Sequence, residues 1–168
     1  IVSFAGTFGY AQGLETVLSA AEVLRDRRNI VFVLAGDGVM RQPLEERIKA
    51  LGLGNVRLVP TQEDADYVGL LHASDACLVT LDQRLRTPVV PGKLQMLMAA
   101  GRPVICSANP ATGLRPLIER SNCGLFVNAG DADALATAIV HLHDDRPSAE
   151  RMGLRGRSYA EAHYQKAA

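Results

Sequence analysis

The sequence predicts an α/β protein in which helices cover both faces of a mainly parallel β-sheet, giving three layers. Six short apolar runs alternate with longer stretches of helical periodicity, the order that builds such a sheet. The runs are nearly continuous in apolar residues, which is typical of strands buried on both faces. The 168 residues suffice for a self-sufficient core and show no repeat or internal linker, so one domain over residues 1–168 is expected.

The apolar runs define six predicted strands. They are Ile1–Ala5, Ile30–Ala35, Val56–Val59, Ala76–Thr80, Pro103–Cys106 and Gly124–Val127. The helices lie between them. On the first helix, one face carries the apolar residues Leu14, Val17, Leu18, Ala21 and Leu24. A second helix runs from about Gln42 to Leu51 and ends at Gly52, and a short helix covers Asp66–His72.

Three further helices are predicted in the second half of the chain. A short helix rich in Met, Leu and Ala begins at Leu94 and is ended by Gly101. Asp131 is a suitable cap for a helix whose buried face holds Leu135, Ala138, Ile139 and Leu142. A last helix follows Pro147 and carries, among many charges, Met152, Leu154 and Tyr159. We expect this helix to pack only partly on the core.

Composition excludes several classes of partner. The formal net charge is zero, so neither nucleic acid nor a polybasic contact with lipid is indicated. No apolar run approaches the roughly 20 residues that a membrane span needs. Cys77, Cys106 and Cys123 show no paired spacing and are predicted to be buried thiols in a reducing compartment. The chain begins inside a strand pattern, without an initiator Met or a signal peptide, and is expected to be part of a longer protein.

Ligands of open parallel sheets bind beyond the carboxyl ends of the strands, where the strand order reverses. Four loops leave those ends: Gly6–Gly13, Gly36–Gly38, Pro60–Gln62 and Pro91–Lys93. Their glycines allow tight turns and close approach to a ligand. None has the Gly-x-Gly-x-x-Gly spacing of dinucleotide-binding loops or the Gly-Lys-Ser/Thr of a P-loop. A nucleotide-sugar epimerase or dehydrogenase is therefore disfavoured.

Lys93 is the candidate with the clearest chemistry. It follows the turn Pro91-Gly92 and precedes a helix predicted to start at Leu94 and Gln95. Free amide groups and the positive end of the helix dipole suit a phosphate, and the lysine adds a full charge. An ordinary loop-to-helix junction explains the same segment. The other cations near these loops are expected to be solvated: Arg41, Arg84 and Arg86.

Several segments match one known family in order along the chain. They are Phe4–Gly9 with Gln12–Glu15, Val33–Gly38, Leu53–Leu58, Ala73–Ala76, Val90–Leu94, Met98–Val104, and Cys123–Leu125 with Gly130-Asp131. Together they resemble the C-terminal, donor-binding domain of the GT-B glycosyltransferases, in the large retaining family known as group 1 or family 4. The Pro-Gly-Lys-Leu variant is most similar to members that build bacterial surface polysaccharides such as O-antigen or capsule. The resemblance implies a Rossmann-like fold that is one half of such an enzyme.

The resemblance also implies that a nucleoside diphosphate sugar lies across this sheet edge. Residues expected to border the diphosphate are Gly6, Thr7, Gly9 and Gln12. Pro60 and Thr61 would meet the base. Residues expected to hold phosphate are Gly92, Lys93, Leu94 and Gln95. No cofactor or metal is expected, because Lys93 and helix dipoles would meet the donor's charge, and His141 and His143 point to different sides of their helix. No catalytic side chain is assigned.

This chain departs from the family at three places. Met96 stands where the family usually has a glutamate that bonds the donor ribose, Gly113 stands where an acidic residue is frequent, and Gln12 replaces a common lysine. Two hypotheses follow. The first is a hexosyl- or related transferase that passes the sugar to a lipid-linked or glycan acceptor. The second is a catalytically silent module that binds a nucleotide sugar or a partner.

Under the first hypothesis the partner is the acceptor-binding N-terminal domain, which this chain lacks, and the isolated half is expected to be inactive. The full protein is expected in the cytoplasm, where the missing half allows peripheral association with the inner face of the membrane.

Overall fold

Six parallel strands form a single sheet in the computed structural model, which describes residues 1–164. Residues 165–168 of the predicted domain lie outside the described residues. The strands are β1 (Val2–Ala5), β2 (Phe32–Ala35), β3 (Val56–Val59), β4 (Ala76–Thr80), β5 (Val104–Ala108) and β6 (Gly124–Asn128). Every neighbouring pair is parallel, so the predicted α/β architecture is confirmed.

Helices connect the strands on both faces of the sheet. They are α1 (Leu14–Val23), α2 (Arg41–Leu51), α3 (Asp64–Ala73), α4 (Gly92–Ala99), α5 (Leu114–Ser121), α6 (Ala132–Asp144) and α7 (Arg146–His163). Single 3₁₀ turns cover Tyr10–Gln12 and Pro110–Thr112. On one face, Phe4, Phe32 and Leu34 belong to a core shared with α1 and α6. On the other face, Val79 and Cys106 belong to a core shared with α4, α5 and α7.

The strand order is β3-β2-β1-β4-β5-β6, so the direction of progression reverses between β1 and β4. β1 pairs with β2 over its whole length, from Val2 to Ala5. With β4 it pairs only through Val2 and Ser3. The two central strands therefore diverge towards their carboxyl ends. This is the position at which open α/β sheets bind ligands.

Most predicted boundaries agree with the structure, and the exceptions have local causes. β2 begins at Phe32 and not at Ile30, because the Ile30 amide donates to the Arg27 oxygen (2.9 Å) in the preceding turn. β5 extends to Ala108 and not only to Cys106, because its last residues pair with β6. The prediction missed α5, whose sequence contains Pro116. This proline lies in the first turn of the helix, where its missing N–H costs no hydrogen bond.

Small residues make the fully buried contacts of α7, while Met152 and Tyr159 pack partly buried against the core, as predicted. Its buried residues are Ala149, Gly153, Gly156 and Ala160. Leu154, which was expected to be apolar contact surface, is 64% exposed. A Cβ atom placed on Gly153 would overlap the backbone oxygen of Gly101, and one on Gly156 would lie 2.8 Å from the Cβ of Cys123. The helix backbone therefore packs directly on the turn that follows α4.

Gly153→Ala is expected to destabilise the fold although alanine favours helices. The new methyl group must displace the Gly101 backbone, and overpacking of this kind costs about 1–3 kcal/mol. Gly69 in α3 is a matched control, because a Cβ there meets nothing within 4 Å. Gly69→Ala should raise the free energy of unfolding by about 0.5–1 kcal/mol. Urea denaturation of both variants checks this, and a Gly153→Ala protein as stable as Gly69→Ala would contradict the packing argument.

Candidate functional site

The loops after β1 and β2 are joined to each other by backbone hydrogen bonds at the carboxyl edge of the sheet. The Phe8 amide donates to the backbone oxygen of Asp37 (2.8 Å), and the Met40 amide donates to the backbone oxygen of Phe8 (2.9 Å). A Cβ on Gly36 would overlap the backbone oxygen of Gly6, so only glycine allows this approach. Because the two loops brace each other, the first loop has a fixed shape beside the gap between β1 and β4.

Lys93 reaches across that gap. The helix starts at Gly92, two residues before the predicted Leu94, so Lys93 lies in its first turn. Its Nζ atom lies 3.8 Å from the centroid of the Phe4 ring on β1. The same atom is 3.7 Å from the point where a Cβ on Gly6 would stand. The structure therefore brings Lys93 together with the first loop, as the sequence predicted.

The charge of Lys93 has little to stabilise it apart from the Phe4 ring. Within residues 1–164 no carboxylate lies within ion-pair distance of its Nζ atom. Burial lowers the pKa of Lys93 from 10.5 to about 8, because desolvation disfavours the ammonium form. An anion beside Nζ would favour that form again. The arrangement is thus a fixed cation that lacks a counterion and is next to a glycine-rich loop.

The predicted backbone donors divide into two groups. The amides of Gly6, Gln12 and Leu94 already donate to the oxygens of Ala35 (2.9 Å), Gly9 (3.1 Å) and Pro91 (2.9 Å). Leu94 is also fully buried, so its side chain belongs to the core. The amides of Thr7 and Gly9 donate to no protein acceptor in the described part of the chain. Gly92 and Gln95 are exposed in the first turn of α4. Backbone donors for a ligand are therefore available at Thr7 and Gly9, and also at Gly92 in the first turn of α4.

Pro60 and Thr61 lie apart from Lys93, at the end of β3. Both are exposed, and the Gln62 side chain donates to the Pro60 oxygen (2.7 Å). β3 is two strands from β1, a distance of about 10 Å at the usual strand spacing. A ligand that touches both Lys93 and Thr61 must therefore extend along the edge of the sheet.

Met96 and Gly113, the two departures from the family pattern, have different surroundings. Met96 is 52% exposed and lies one turn after Lys93 on α4, so it is not a core residue. Gly113 precedes α5 with a φ of 77°, in the left-handed region. A side chain at that position would strain the backbone, so the loop geometry accounts for the glycine.

Other candidates have structural roles. The Asp37 carboxylate accepts the Gly38 amide (2.7 Å), which stabilises its turn. Asp75 precedes β4 at the opposite, amino edge of the sheet, 3.7 Å from Arg146. Phe8 is buried, whereas Tyr10 is 66% exposed. Burial raises the pKa of the Cys106 thiol to about 12. In residues 1–164 no three His, Cys, Asp or Glu side chains are grouped so that they could hold a metal.

Sequence reasoning missed two contributors to the site. Phe4 was predicted only as a strand residue, and its contact with Lys93 joins residues that are distant in sequence. Arg41 was expected to be solvated, but its guanidinium donates to the Gly36 oxygen (2.8 Å) and pairs with Glu45 (3.0 Å). Arg41 therefore holds the second loop in place. Its position one helical turn past the glycines was the available signal.

The strand order and the lysine-bearing gap at its reversal define a Rossmann-like α/β domain of the type found in GT-B enzymes. The chain belongs to the family described as glycosyl transferases group 1, whose model matches residues 1–145. The predicted membership of the group 1 glycosyltransferases is thereby confirmed.

Individual relatives agree with this family. A protein of Escherichia coli strain K12 that carries the name colanic acid biosynthesis glycosyl transferase WcaI is 33% identical over 140 residues, covering 83% of this chain and 34% of the relative. The D-rhamnosyltransferase WbpZ of Pseudomonas aeruginosa is 29% identical and is matched over 40% of its length. The chain thus spans about a third to two fifths of the relatives it matches.

Solved structures share the fold. The Anabaena protein HepE in complex with UDP aligns with a TM-score of 0.83 at 20% identity, over 98% of this chain and 44% of that chain. The C-terminal domain of LpcC, a glycosyl transferase group 1 family protein of Francisella tularensis, aligns with a TM-score of 0.80 at 15% identity. That alignment covers 99% of this chain and 86% of that chain. Among the helices of residues 1–164, none is long and apolar enough to cross a membrane.

Lys93→Met is expected to stabilise the fold at pH 7 and to change its pH dependence. Since the pKa of Lys93 is about 8 when folded and 10.5 ordinarily, the folded chain binds fewer protons between these values. The free energy of unfolding of the wild-type protein therefore rises as the pH increases from 8 to 10.5. Below pH 8 the buried ammonium group destabilises the fold by its full amount. The variant should be more stable at pH 7 by about 1–3 kcal/mol and should lose most of that advantage by about pH 10.

Urea denaturation in phosphate-free buffer at both pH values measures this difference. Lys49→Met is the control, because Lys49 is exposed on α2. An advantage of Lys93→Met that is the same at both pH values would contradict the assignment of a desolvated ammonium group.

Proposed function

We propose that this domain binds the nucleoside diphosphate sugar donor of a retaining glycosyltransferase. The observation that carries the proposal is Lys93, a cation held 3.8 Å from the Phe4 ring at the switch point of the sheet, beside the glycine-rich first loop. Helix N-termini and glycine-rich loops are established devices for phosphate binding. Membership of a glycosyltransferase family makes a sugar nucleotide the natural source of that phosphate.

The diphosphate would contact Lys93 and the free amides of Thr7 and Gly9. The base would extend towards Pro60 and Thr61, which are about 10 Å along the edge of the sheet. Met96, one helical turn past Lys93, would then face the ribose. We propose that no metal ion takes part, because Lys93 and the α4 dipole supply the positive charge that the diphosphate requires.

Lys93 would also act in the reaction. Negative charge grows on the diphosphate as the bond to the sugar breaks, and a preorganised cation stabilises that charge. The acceptor would be bound by an N-terminal half, so the chain alone would not turn over. The match to a C-terminal domain of a group 1 protein supports this assignment. The relatives named for colanic acid and D-rhamnose transfer favour surface-polysaccharide assembly, in the cytoplasm at the inner face of the membrane.

A second candidate function is a silent module that binds a nucleotide sugar or a partner but transfers nothing. Met96 and Gly113 favour it, since neither supplies the carboxylate that the family usually has at its place. As a nucleotide-sugar module, this candidate shares the nucleotide site with the first and differs only in turnover by the full-length protein. As a module for a partner alone, it would bind no nucleotide.

Calorimetry with UDP, GDP and dTDP in the presence of EDTA tests the proposal. At least one diphosphate should bind without a divalent cation, and the matching nucleoside should bind far more weakly. Failure of all three to bind would overturn the donor site, and strict dependence on magnesium would overturn the metal-free model of it.

Lys93→Ala is the decisive variant in that experiment. A charge-assisted hydrogen bond contributes roughly 1.5–3 kcal/mol, so diphosphate binding should weaken about tenfold to a hundredfold. Nucleoside binding should barely change. Lys49→Ala, which removes an exposed lysine on α2, is the matched control and should leave both affinities unchanged. Equal losses for nucleoside and diphosphate would remove Lys93 from the phosphate site.

Met96→Glu should strengthen binding of the diphosphate that the domain prefers by about threefold to tenfold, because a carboxylate there can accept the ribose hydroxyls. Since Met96 is 52% exposed, the free energy of unfolding should change by less than about 0.5 kcal/mol. Gln95→Glu adds the same charge at the neighbouring exposed position and should give no gain. A gain that persists with the 2′,3′-dideoxy nucleotide would show that the ribose is not the partner.

A further inference from the structure

A groove that the nucleotide site does not use lies at the same edge of the sheet. It has a volume of about 330 Å³ and is formed by the loops that follow β4, β5 and β6. Its lining includes Gln83, Arg84, Arg86, Asn109, Pro110 and Asn128. The groove lies beyond β4, whereas Thr61 and the proposed base site lie on the other side of Lys93. It is therefore placed where the sugar end of a donor, and the molecule that receives the sugar, would be.

The groove carries an excess of positive charge. Asp82 holds Arg84 through Nε (2.7 Å) and Nη2 (3.2 Å) and also accepts the Arg84 amide (2.9 Å). These hydrogen bonds lower the pKa of Asp82, which stays ionised and fixes the guanidinium. The Arg84 side chain is nevertheless 78% exposed. Arg86 is exposed and has no ion-pair partner in the described part of the chain. The lining itself holds two arginines and no carboxylate, while Asp82 and, more weakly, Glu15 act on Arg84 from beside the groove.

Hydrogen bonds between its walls give the groove a defined shape. The Asn109 side-chain NH₂ group donates to the backbone oxygen of Gln83 (2.9 Å), and Asn109 Oδ1 accepts a hydrogen bond from the Ala111 amide (3.0 Å). The loops after β4 and β5 are thus tied together. Asn128 Oδ1 accepts a hydrogen bond from Arg115 (3.2 Å), and its NH₂ group donates to no protein acceptor within residues 1–164. The groove presents donors that are already in position.

Guanidinium and carboxamide donors around a net positive charge suit an oxyanion. We propose that this groove is a second anion site, separate from Lys93, and that it takes a phosphate or carboxylate group of the sugar acceptor, whose remaining parts would be held by the N-terminal half. The anion site stands on the groove alone, whereas its assignment to the acceptor rests on the proposed function.

Isothermal titration of the 168-residue chain with inorganic pyrophosphate tests the site in two backgrounds. Lys93→Ala weakens the first site, so the effect of a further substitution in this background reports the groove. Adding Arg86→Ala to Lys93→Ala should weaken pyrophosphate binding about threefold to tenfold, since a charged donor to an oxyanion is lost. Arg155→Ala, which removes an exposed arginine on α7, is the matched control and should have no effect. Equal effects of the two arginine variants, or no pyrophosphate binding in Lys93→Ala, would overturn the proposal.

A second titration distinguishes the presence of an anion site in the groove from its use by the acceptor. With the Lys93 site of the wild-type chain saturated by UDP, pyrophosphate should still bind at the groove. Competition with glucose 1-phosphate and with glucuronate then identifies the acceptor group. Displacement of pyrophosphate by glucose 1-phosphate indicates a phosphate, and displacement by glucuronate indicates a carboxylate. If UDP does not bind, the donor proposal falls, and the Lys93→Ala titration still decides the groove. If pyrophosphate binds but neither compound displaces it, the assignment of the groove to the acceptor is overturned.

Discussion

The reversal of strand order between β1 and β4 is the constraint on which the rest of the site depends. Because the two strands pair through only two residues of β1, they separate towards their carboxyl ends and leave a gap in the middle of the sheet edge. Helix α4 begins beside that gap, and the first loop borders its other side. A side chain from α4, on one side of the gap, can therefore reach a ring on β1, on the other side, as Lys93 does over Phe4.

Close backbone packing makes this edge rigid. Gly36 lets the second loop rest on the first, and Gly153 lets α7 rest on the turn that ends α4. Both contacts hold the elements that flank the gap, one from each half of the sheet. The Lys93 side chain is consequently flanked by close packing on both sides of the gap. This is the preorganisation that a site for a charged ligand requires.

The sequence predicted what depends on local pattern. Strands such as Val56–Val59 and Ala76–Thr80 were predicted to the residue, because continuous apolar runs mark buried parallel strands. Helix α5 was missed because Pro116 resembles a helix breaker unless its place in the first turn is known. Lys93 was identified from the turn before it, but its partner Phe4 was not, since a contact across the sheet leaves no local trace. The engaged amides of Gly6 and Leu94 likewise depend on tertiary neighbours.

All three cysteine thiols of the chain are buried, as the sequence predicted, and this has a practical consequence. Cys77, Cys106 and Cys123 are each at most 1% exposed and share one core cluster, so folded protein offers no thiolate to an alkylating reagent. Labelling must wait until that half of the sheet opens, and its rate under gentle conditions follows the equilibrium between closed and open forms. The chain thus carries an intrinsic reporter of local opening beneath α4, and a ligand that clamps this helix would register as slower modification of the cysteines.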